Sequence, residues 1–196
     1  MLKIEPRKNR SNFLEVSAPV IAVILTMIFG GFLFLSMGKN PFEAIKLIFW
    51  DPIMSPTFSE YSRPQLVIKA APLILIALGL SFGFRANIWN IGAEGQYIMG
   101  ALFSGSIGLA LYPLDAWFIF PLMILGGIIG GVFWAMIPAI LKIKFNTNEI
   151  LVSLMLVYVA EQILALASVG FLRNPEGLGF PGSRDLSKYP SASNPE

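Results

Sequence analysis

The sequence predicts an all-α protein, a polytopic transmembrane helical bundle of about five segments. Hydrophobic residues make up 55% of the 196 positions and charged residues only 13%, about half of the ~25% found in soluble domains. Five apolar runs carry few charges or none, and each is close to the ~20 residues that a membrane-spanning helix needs. No strand-like alternation indicates a barrel. The five runs are 16–38, 66–84, 95–114, 116–141 and 150–172.

The first run follows a basic tail, residues 1–15, which we expect to be cytoplasmic. A secretory signal peptide also has a basic start and an apolar stretch. Val16 to Gly38 is 23 residues without a charge, which is longer than the apolar part of an ordinary signal peptide. The pattern therefore favours a retained helix.

Between the first two runs, Lys39 to Gln65 breaks the apolar pattern, and Pro52, Pro56 and Pro64 follow a short amphipathic piece that opens at Asn40-Pro41. Proline removes a backbone hydrogen bond and clashes with the preceding turn of a helix. We expect an extramembrane loop here, with one or two helical turns lying on the surface. The last stretch, 173–196, is rich in Pro, Gly and Ser and is expected to be a further extramembrane loop or a truncated end.

Small residues recur at helical spacing in the third and fourth runs. Such stripes let two membrane helices approach closely, although glycine is also generally commoner in membrane helices than in soluble ones. The regular spacing favours helix packing. The residues are Gly100, Ser104 and Gly108 in one run and Gly126, Gly127, Gly130 and Gly131 in the other.

The stretch from Gly83 to Gln96 is polar but lies between two apolar runs. Its glycines allow the backbone to bend, so we expect a bent or broken membrane segment that exposes helix ends, as transporters use to bind substrate. Polar side chains at membrane depth need partners or water. The candidates for lining a substrate pathway are Asn87, Trp89, Asn90, Glu94, Gln96, Tyr97 and the distant Glu161.

Each candidate also has a structural interpretation. Asn90 is able to cap a helix that begins near Ile91, which would put Glu94 in a favourable first turn. Trp89 and Tyr97 are able to stack on a planar or sugar-like ligand, but aromatic side chains more often mark the membrane interface. Farther along, Thr147 or Asn148 is expected to cap the fifth helix, with Glu149 near its positive end.

Several kinds of chemistry are excluded by composition. The chain has no cysteine and no histidine, which rules out Cys- or His-ligated metals and nucleophiles paired with histidine. It has no phosphate-binding loop of the G-x-x-x-x-G-K-[ST] type. We therefore expect a protein that is not an enzyme and needs no metal or cofactor. The energy for transport must come from an ion gradient or from a separate ATPase.

Two stretches carry a family resemblance. The first is Gly83 to Gln96 with the following Tyr97-Ile98-Met99-Gly100-Ala101, and the second is Asn146 to Ile150 with Ser153 to Leu156 and Tyr158-Val159-Ala160. Both resemble sequences shared by membrane permease subunits of bacterial ABC importers. The branch is the simple-sugar and nucleoside one, related to branched-chain amino acid and ribose permeases. The resemblance covers essentially this whole chain but only the front part of such a permease, so we expect an N-terminal fragment.

The resemblance implies a function and partners. The chain would be the permease subunit that passes a nucleoside or simple-sugar-like solute across the inner (plasma) membrane. Its expected partners are an ABC ATPase subunit, a second permease subunit, a substrate-binding lipoprotein or periplasmic protein, and membrane lipid, but not nucleic acid. The alternative from the residues alone is an ion-coupled secondary transporter that uses Glu94 and Glu161.

The orientation is only weakly determined by charge. Lysine and arginine are divided equally between the two sides under either assignment. The basic N-terminal tail and the uncharged turn from Tyr112 to Leu114 favour a cytoplasmic N-terminus. With five crossings, the stretch after Asn174 would then lie outside.

Overall fold

In the computed structural model, residues 12–186 and 189–192 are described, and this part of the chain is helical, with no strand. The helices are α1 (Asn12–Ser36), α2 (Pro41–Ile45), a π-helical turn (Lys46–Trp50), α3 (Asp51–Met54), α4 (Ser59–Arg85), α5 (Ala93–Ala110), α6 (Ile119–Phe145), α7 (Glu149–Val169) and a 3-10 turn (Pro190–Ala192). The all-α architecture predicted from composition is confirmed.

The chain divides after Ile74 into two compact units. The first holds α1, the short helices and the beginning of α4. Asn40 caps α2 by accepting a hydrogen bond from the backbone N–H of Phe42 at 3.1 Å. Arg63 Nε donates to the Ile53 carbonyl oxygen at 2.7 Å, which ties the start of α4 to α3.

The expectation that prolines would keep Lys39 to Gln65 largely non-helical is wrong. The chain is helical from Pro41 to Met54, and α4 contains both Pro64 and Pro72. Pro41 and Pro52 lie in the first turn of α2 and of α3, where the missing N–H has no helical partner. Pro64 lies five residues into α4, so it removes one hydrogen bond near the helix start and leaves the rest of the helix intact.

In the second unit, α5 and α6 pack together through the small residues. A Cβ atom on Gly100 would lie 3.0 Å from the Gly127 carbonyl oxygen, and one on Gly130 would lie 2.8 Å from Phe103 Cβ. Gly127 also faces Ser104 Cβ, and Gly108 faces the Met123 sulfur. The glycines thus lie where the two helices approach most closely.

Helix α7 closes one side of this pair. The buried core between α5, α6 and α7 contains Met99, Leu102, Trp134, Ala160 and Ala167. Gly95 lies in this contact, since a Cβ atom on it would come within 3.1 Å of the Val157 Cα atom. The three packed helices therefore form a framework that supports the polar stretch before α5.

Residues 189–192, here called the docked end of the chain, pack against the connection between α5 and α6. Tyr189 is 4% exposed, and its hydroxyl donates to the carbonyl oxygens of Leu111 and Leu114. Ser191 Oγ donates to Asp115 Oδ1 and accepts from the Ala116 N–H. Composition predicts an irregular end, but it does not predict this docking.

Four of the described helices are long and apolar enough to cross a membrane, judged by length and composition. They are Val16–Ser36 of α1, and α4, α6 and α7. The remaining expected segment, 95–114, lies mostly on α5, which is 18 residues long and carries Glu94 and Gln96 in its first turns. The expected break near 83–96 is present, because α4 ends at Arg85 and α5 begins at Ala93.

Candidate functional site

The break between α4 and α5 is a turn followed by a non-helical segment, residues 88–92. The Ile88 N–H donates to the Gly83 carbonyl oxygen at 2.9 Å, which closes the end of α4. Asn87 adopts a left-handed conformation, with φ of 56°, a conformation uncommon for residues other than glycine but tolerated best by asparagine. The following residues, Ile88 to Gly92, are not helical.

This non-helical segment is held against α7. The Ile91 N–H donates to Ser153 Oγ at 3.2 Å, and Ser153 is 2% exposed. Asn90 Oδ1 accepts from the Gly92 N–H at 2.9 Å, while its amide nitrogen donates to Gln96 Oε1 at 3.2 Å. Asn90 therefore braces the segment before α5, but the prediction that it caps the helix is wrong, because α5 begins at Ala93 with Gly92 at its N-cap and no side-chain cap hydrogen bond. Glu94 does lie in the first turn.

A cavity of about 470 Å³ opens between this segment and the facing ends of α6 and α7, within the usual range for small-molecule sites. Its wall is mainly apolar, with a few polar groups that converge on it. The lining residues are Asn87, Ile88, Trp89, Asn90 and Gln96 from the polar stretch, Ala135, Pro138, Ala139, Lys142 and Ile143 from α6, and Glu149 and Ser153 from α7.

An ion pair lies in the cavity wall at the junction of α6 and α7. Lys142 Nζ is 2.9 Å from Glu149 Oε2, and the two side chains are 45% and 20% exposed. Asn148 caps α7 by accepting from the N–H groups of Ile150 and Leu151 at 3.0 and 3.3 Å. The predicted cap at Asn148 is thus confirmed.

The structure brings four of the seven pathway candidates to the cavity: Asn87, Trp89, Asn90 and Gln96. Glu94, Tyr97 and Glu161 are exposed elsewhere on the helices. Glu161 lies twelve residues beyond the start of α7, about 18 Å along its axis at 1.5 Å per residue.

Eight other lining residues were not among the candidates, and the charged or polar ones among them are Lys142, Glu149 and Ser153. A signal for two of them was present in the sequence. Lys142 ends one apolar run and Glu149 begins the next, with only six residues between them. Opposite charges at the ends of two helices joined by a short link are expected to meet. Among residues 12–186 and 189–192, no cluster of three or more side chains suits a metal ion.

Comparison with known proteins identifies the family. The family described as "Branched-chain amino acid transport system / permease component" matches residues 62–194. The chain belongs to this permease family. Its membership, together with the four apolar helices, makes it a multi-pass membrane protein. Comparison with solved structures gave no significant match.

Three relatives of this permease are transporter components by name. A glucose ABC transporter permease protein of Haloferax volcanii is 32% identical over 95% of this chain and 47% of its own length. A guanosine permease protein of Bacillus subtilis is 32% identical over 72% of this chain and 39% of its own length. A nucleoside permease protein of Lactococcus lactis is 28% identical over 74% and 39%. The chain spans less than half the length of these relatives.

Proposed function

We propose that the chain is part of the membrane permease of an ATP-driven ABC importer that carries a nucleoside or a simple-sugar-like solute. The observation that carries this proposal is the match to the permease family over residues 62–194. It is supported by relatives named as ABC permeases for glucose, guanosine and nucleosides. Transport and not catalysis is the expected role, with ATP hydrolysed on a separate subunit.

The cavity is our candidate for part of the solute pathway. The two stretches that resemble ABC permeases, near residues 83–101 and 146–160, are far apart in the sequence but both contribute to its wall. Asn87, Asn90 and Gln96 offer amide groups that both donate and accept hydrogen bonds. Trp89 offers an aromatic face, tilted by 43° against Phe84. This combination suits a solute with hydroxyl groups or a heteroaromatic ring.

The proposed assembly contains a second permease subunit, an ABC ATPase and a substrate-binding protein, in the inner (plasma) membrane with the N-terminus of this chain cytoplasmic. In that orientation the cavity opens toward the cytoplasm, because the ends of α4 and α6 and the beginnings of α5 and α7 meet there. A solute would leave the pathway at this end.

The test is uptake of labelled guanosine and of labelled glucose by cells that express this chain with its genomic neighbours, compared with cells that lack it. We expect uptake of one solute that stops when ATP is depleted but persists when the ion gradient is collapsed by an ionophore. The opposite result would support the ion-coupled alternative. That alternative also requires Glu94→Gln or Glu161→Gln to abolish uptake, and neither carboxylate lines the cavity.

A further inference from the structure

The charged groups of the cavity compensate each other. Of its lining residues, only Lys142 and Glu149 carry a formal charge, and their side chains form an ion pair at 2.9 Å. The other polar groups, three amides and the Ser153 hydroxyl, are neutral. The wall therefore has no net charge, although it has several hydrogen-bonding groups.

A charged solute would enter this cavity at a disadvantage. It would lose hydration against a mainly apolar wall, and the wall holds no unpaired opposite charge to replace that hydration. To bind either Lys142 or Glu149, it would also have to displace that residue's partner in the existing ion pair. A neutral polar solute needs only hydrogen bonds, which the amide groups supply in both directions.

We propose that the Lys142–Glu149 pair determines specificity by keeping the cavity electrically neutral, so that it accepts uncharged polar solutes and rejects their charged analogues. The inference rests on the proposed function, since it concerns the solute of the same cavity. It assigns to these two residues a role in selecting solutes by charge, in addition to any role in joining α6 to α7.

Because of the surroundings of the pair, the two single variants should change charge selectivity by different amounts. Glu149 is the first residue of α7, where the helix dipole is positive. Glu149→Gln leaves Lys142 together with this positive helix end, so the cavity becomes attractive to anions. Lys142→Gln leaves a carboxylate that the same helix end still compensates in part. The gain for cations should therefore be smaller than the gain for anions.

The experiment measures binding to the full chain in lipid nanodiscs at low ionic strength, by equilibrium dialysis with labelled probes. One series is glucose, glucose 6-phosphate and glucosamine. The other is guanosine, guanosine 5′-monophosphate and 5′-amino-5′-deoxyguanosine. Within each series the solutes share a scaffold but are neutral, anionic or cationic. The quantity compared is the ratio of the charged analogue's affinity to that of the neutral solute.

For wild type we expect the neutral member of one series to bind best. Glu149→Gln should raise the anion-to-neutral ratio ~5-fold, and Lys142→Gln should raise the cation-to-neutral ratio by ~2-fold or less, since a partly exposed pair is partly screened by solvent. The neutral double variant Lys142→Gln/Glu149→Gln should keep the wild-type preference. Lys144→Gln, two residues along α6 and outside the cavity wall, is the control and should change neither ratio.

Three results would overturn the inference. The first is an unchanged anion-to-neutral affinity ratio in a Glu149→Gln variant that is monodisperse and still binds the neutral solute. The second is a double variant that is monodisperse but no longer binds the neutral solute, because the pair would then act by joining α6 to α7. The third is cellular uptake of a neutral solute that the chain itself does not bind. If Glu149→Gln cannot be recovered, Glu149→Ser removes the same charge. Loss of all ATP-dependent uptake in the cellular assay would instead refute the proposed function.

Discussion

Gly92 and Ser153 approach so closely that no side chain fits between them. A Cβ atom on Gly92 would lie 2.7 Å from the Ser153 carbonyl oxygen and 2.8 Å from its Cβ atom. Both are buried, and the neighbouring Ile91 N–H donates to Ser153 Oγ. This contact joins the break before α5 to the first turns of α7, and it fixes the segment that carries Asn87, Trp89 and Asn90 along the cavity.

We expect Gly92→Ala to lower both stability and transport. The added methyl group would meet backbone atoms, which cannot move aside as a flexible side chain can, and overpacking of this kind costs ~1–3 kcal/mol. The measurement is thermal unfolding of the detergent-solubilised protein, with uptake measured in parallel. Gly105→Ala is the matched control in α5, because nothing lies within 4 Å of the added atom. Equal melting temperatures for the two variants would contradict this account of the contact.

Ser153→Ala tests the hydrogen bond in the same contact. It leaves the Ile91 N–H without its acceptor, and the net contribution of a hydrogen bond to stability is typically ~0.5–1.5 kcal/mol. We expect faster hydrogen exchange of the segment 88–92, with α5 and α6 unchanged. Ser106→Ala is the control, because Ser106 Oγ bonds only within its own helix, to the Leu102 carbonyl oxygen. Unchanged exchange at 88–92 would show that the segment is held by packing alone.

These contacts mark the limit of prediction from sequence. Apolar runs predict the helices, and the polar residues around Gly83 to Gln96 predict the break. Glycine spacing points to the α5–α6 contact, but periodicity cannot tell which glycine faces which backbone atom. The prolines were misleading because the cost of a proline depends on its position within a helix. Pro64 lies near the start of α4 and interrupts little.

Only some of the residues that line the cavity are predictable from the sequence, because the tertiary fold decides which of the others meet there. Asn87, Trp89, Asn90 and Gln96 are recognisable because they are polar residues between apolar runs. Lys142 and Glu149 lie at the ends of apolar runs, where charges are ordinary, so only the tertiary fold reveals that they meet in the same wall. Glu161 is unusual in the sequence because it is a charge within a run, yet the described part of the chain does not bring it to the cavity.

Tyr189 gives a pH-dependent prediction for the docked end of the chain. Burial, the nearby Asp115 carboxylate and Tyr112 raise its pKa above the ordinary value, which is ~10. The neutral phenol is the donor to Leu111 and Leu114. An undocked Tyr189 would ionise near pH ~10, before the docked one does, so docking keeps its full stability below ~10 and loses it as the pH rises further.

The measurement is the ultraviolet absorbance of tyrosinate during an alkaline titration of wild type and of Tyr189→Phe. We expect the difference between the two curves to be a single ionisation that occurs later than that of free tyrosine. Tyr61→Phe, which removes an exposed tyrosine in the first unit, is the control for the loss of one tyrosine from the absorbance. A missing step for Tyr189 at or below the pH at which free tyrosine ionises would show that the end of the chain is undocked in solution.

The last prediction concerns orientation, which decides whether the cavity faces the cytoplasm. The basic N-terminal tail and the uncharged turn before α6 favour a cytoplasmic N-terminus. The cavity then lies on the cytoplasmic side, and the docked end of the chain, with the α5–α6 connection, lies outside. The chain has no cysteine, so single cysteines report position without background. Suitable exposed sites are Thr57, Leu114 and Phe145.

With an impermeant thiol reagent applied to intact cells, we expect Thr57→Cys and Leu114→Cys to be labelled and Phe145→Cys to be protected until the membrane is permeabilised. Phe145 ends α6, three residues after Lys142, so its position reports the side on which the cavity opens. Full labelling of each variant in detergent is the control for thiol reactivity. Labelling of Phe145→Cys but not Leu114→Cys in intact cells would reverse the orientation, and the cavity would then be the entrance that receives solute from outside.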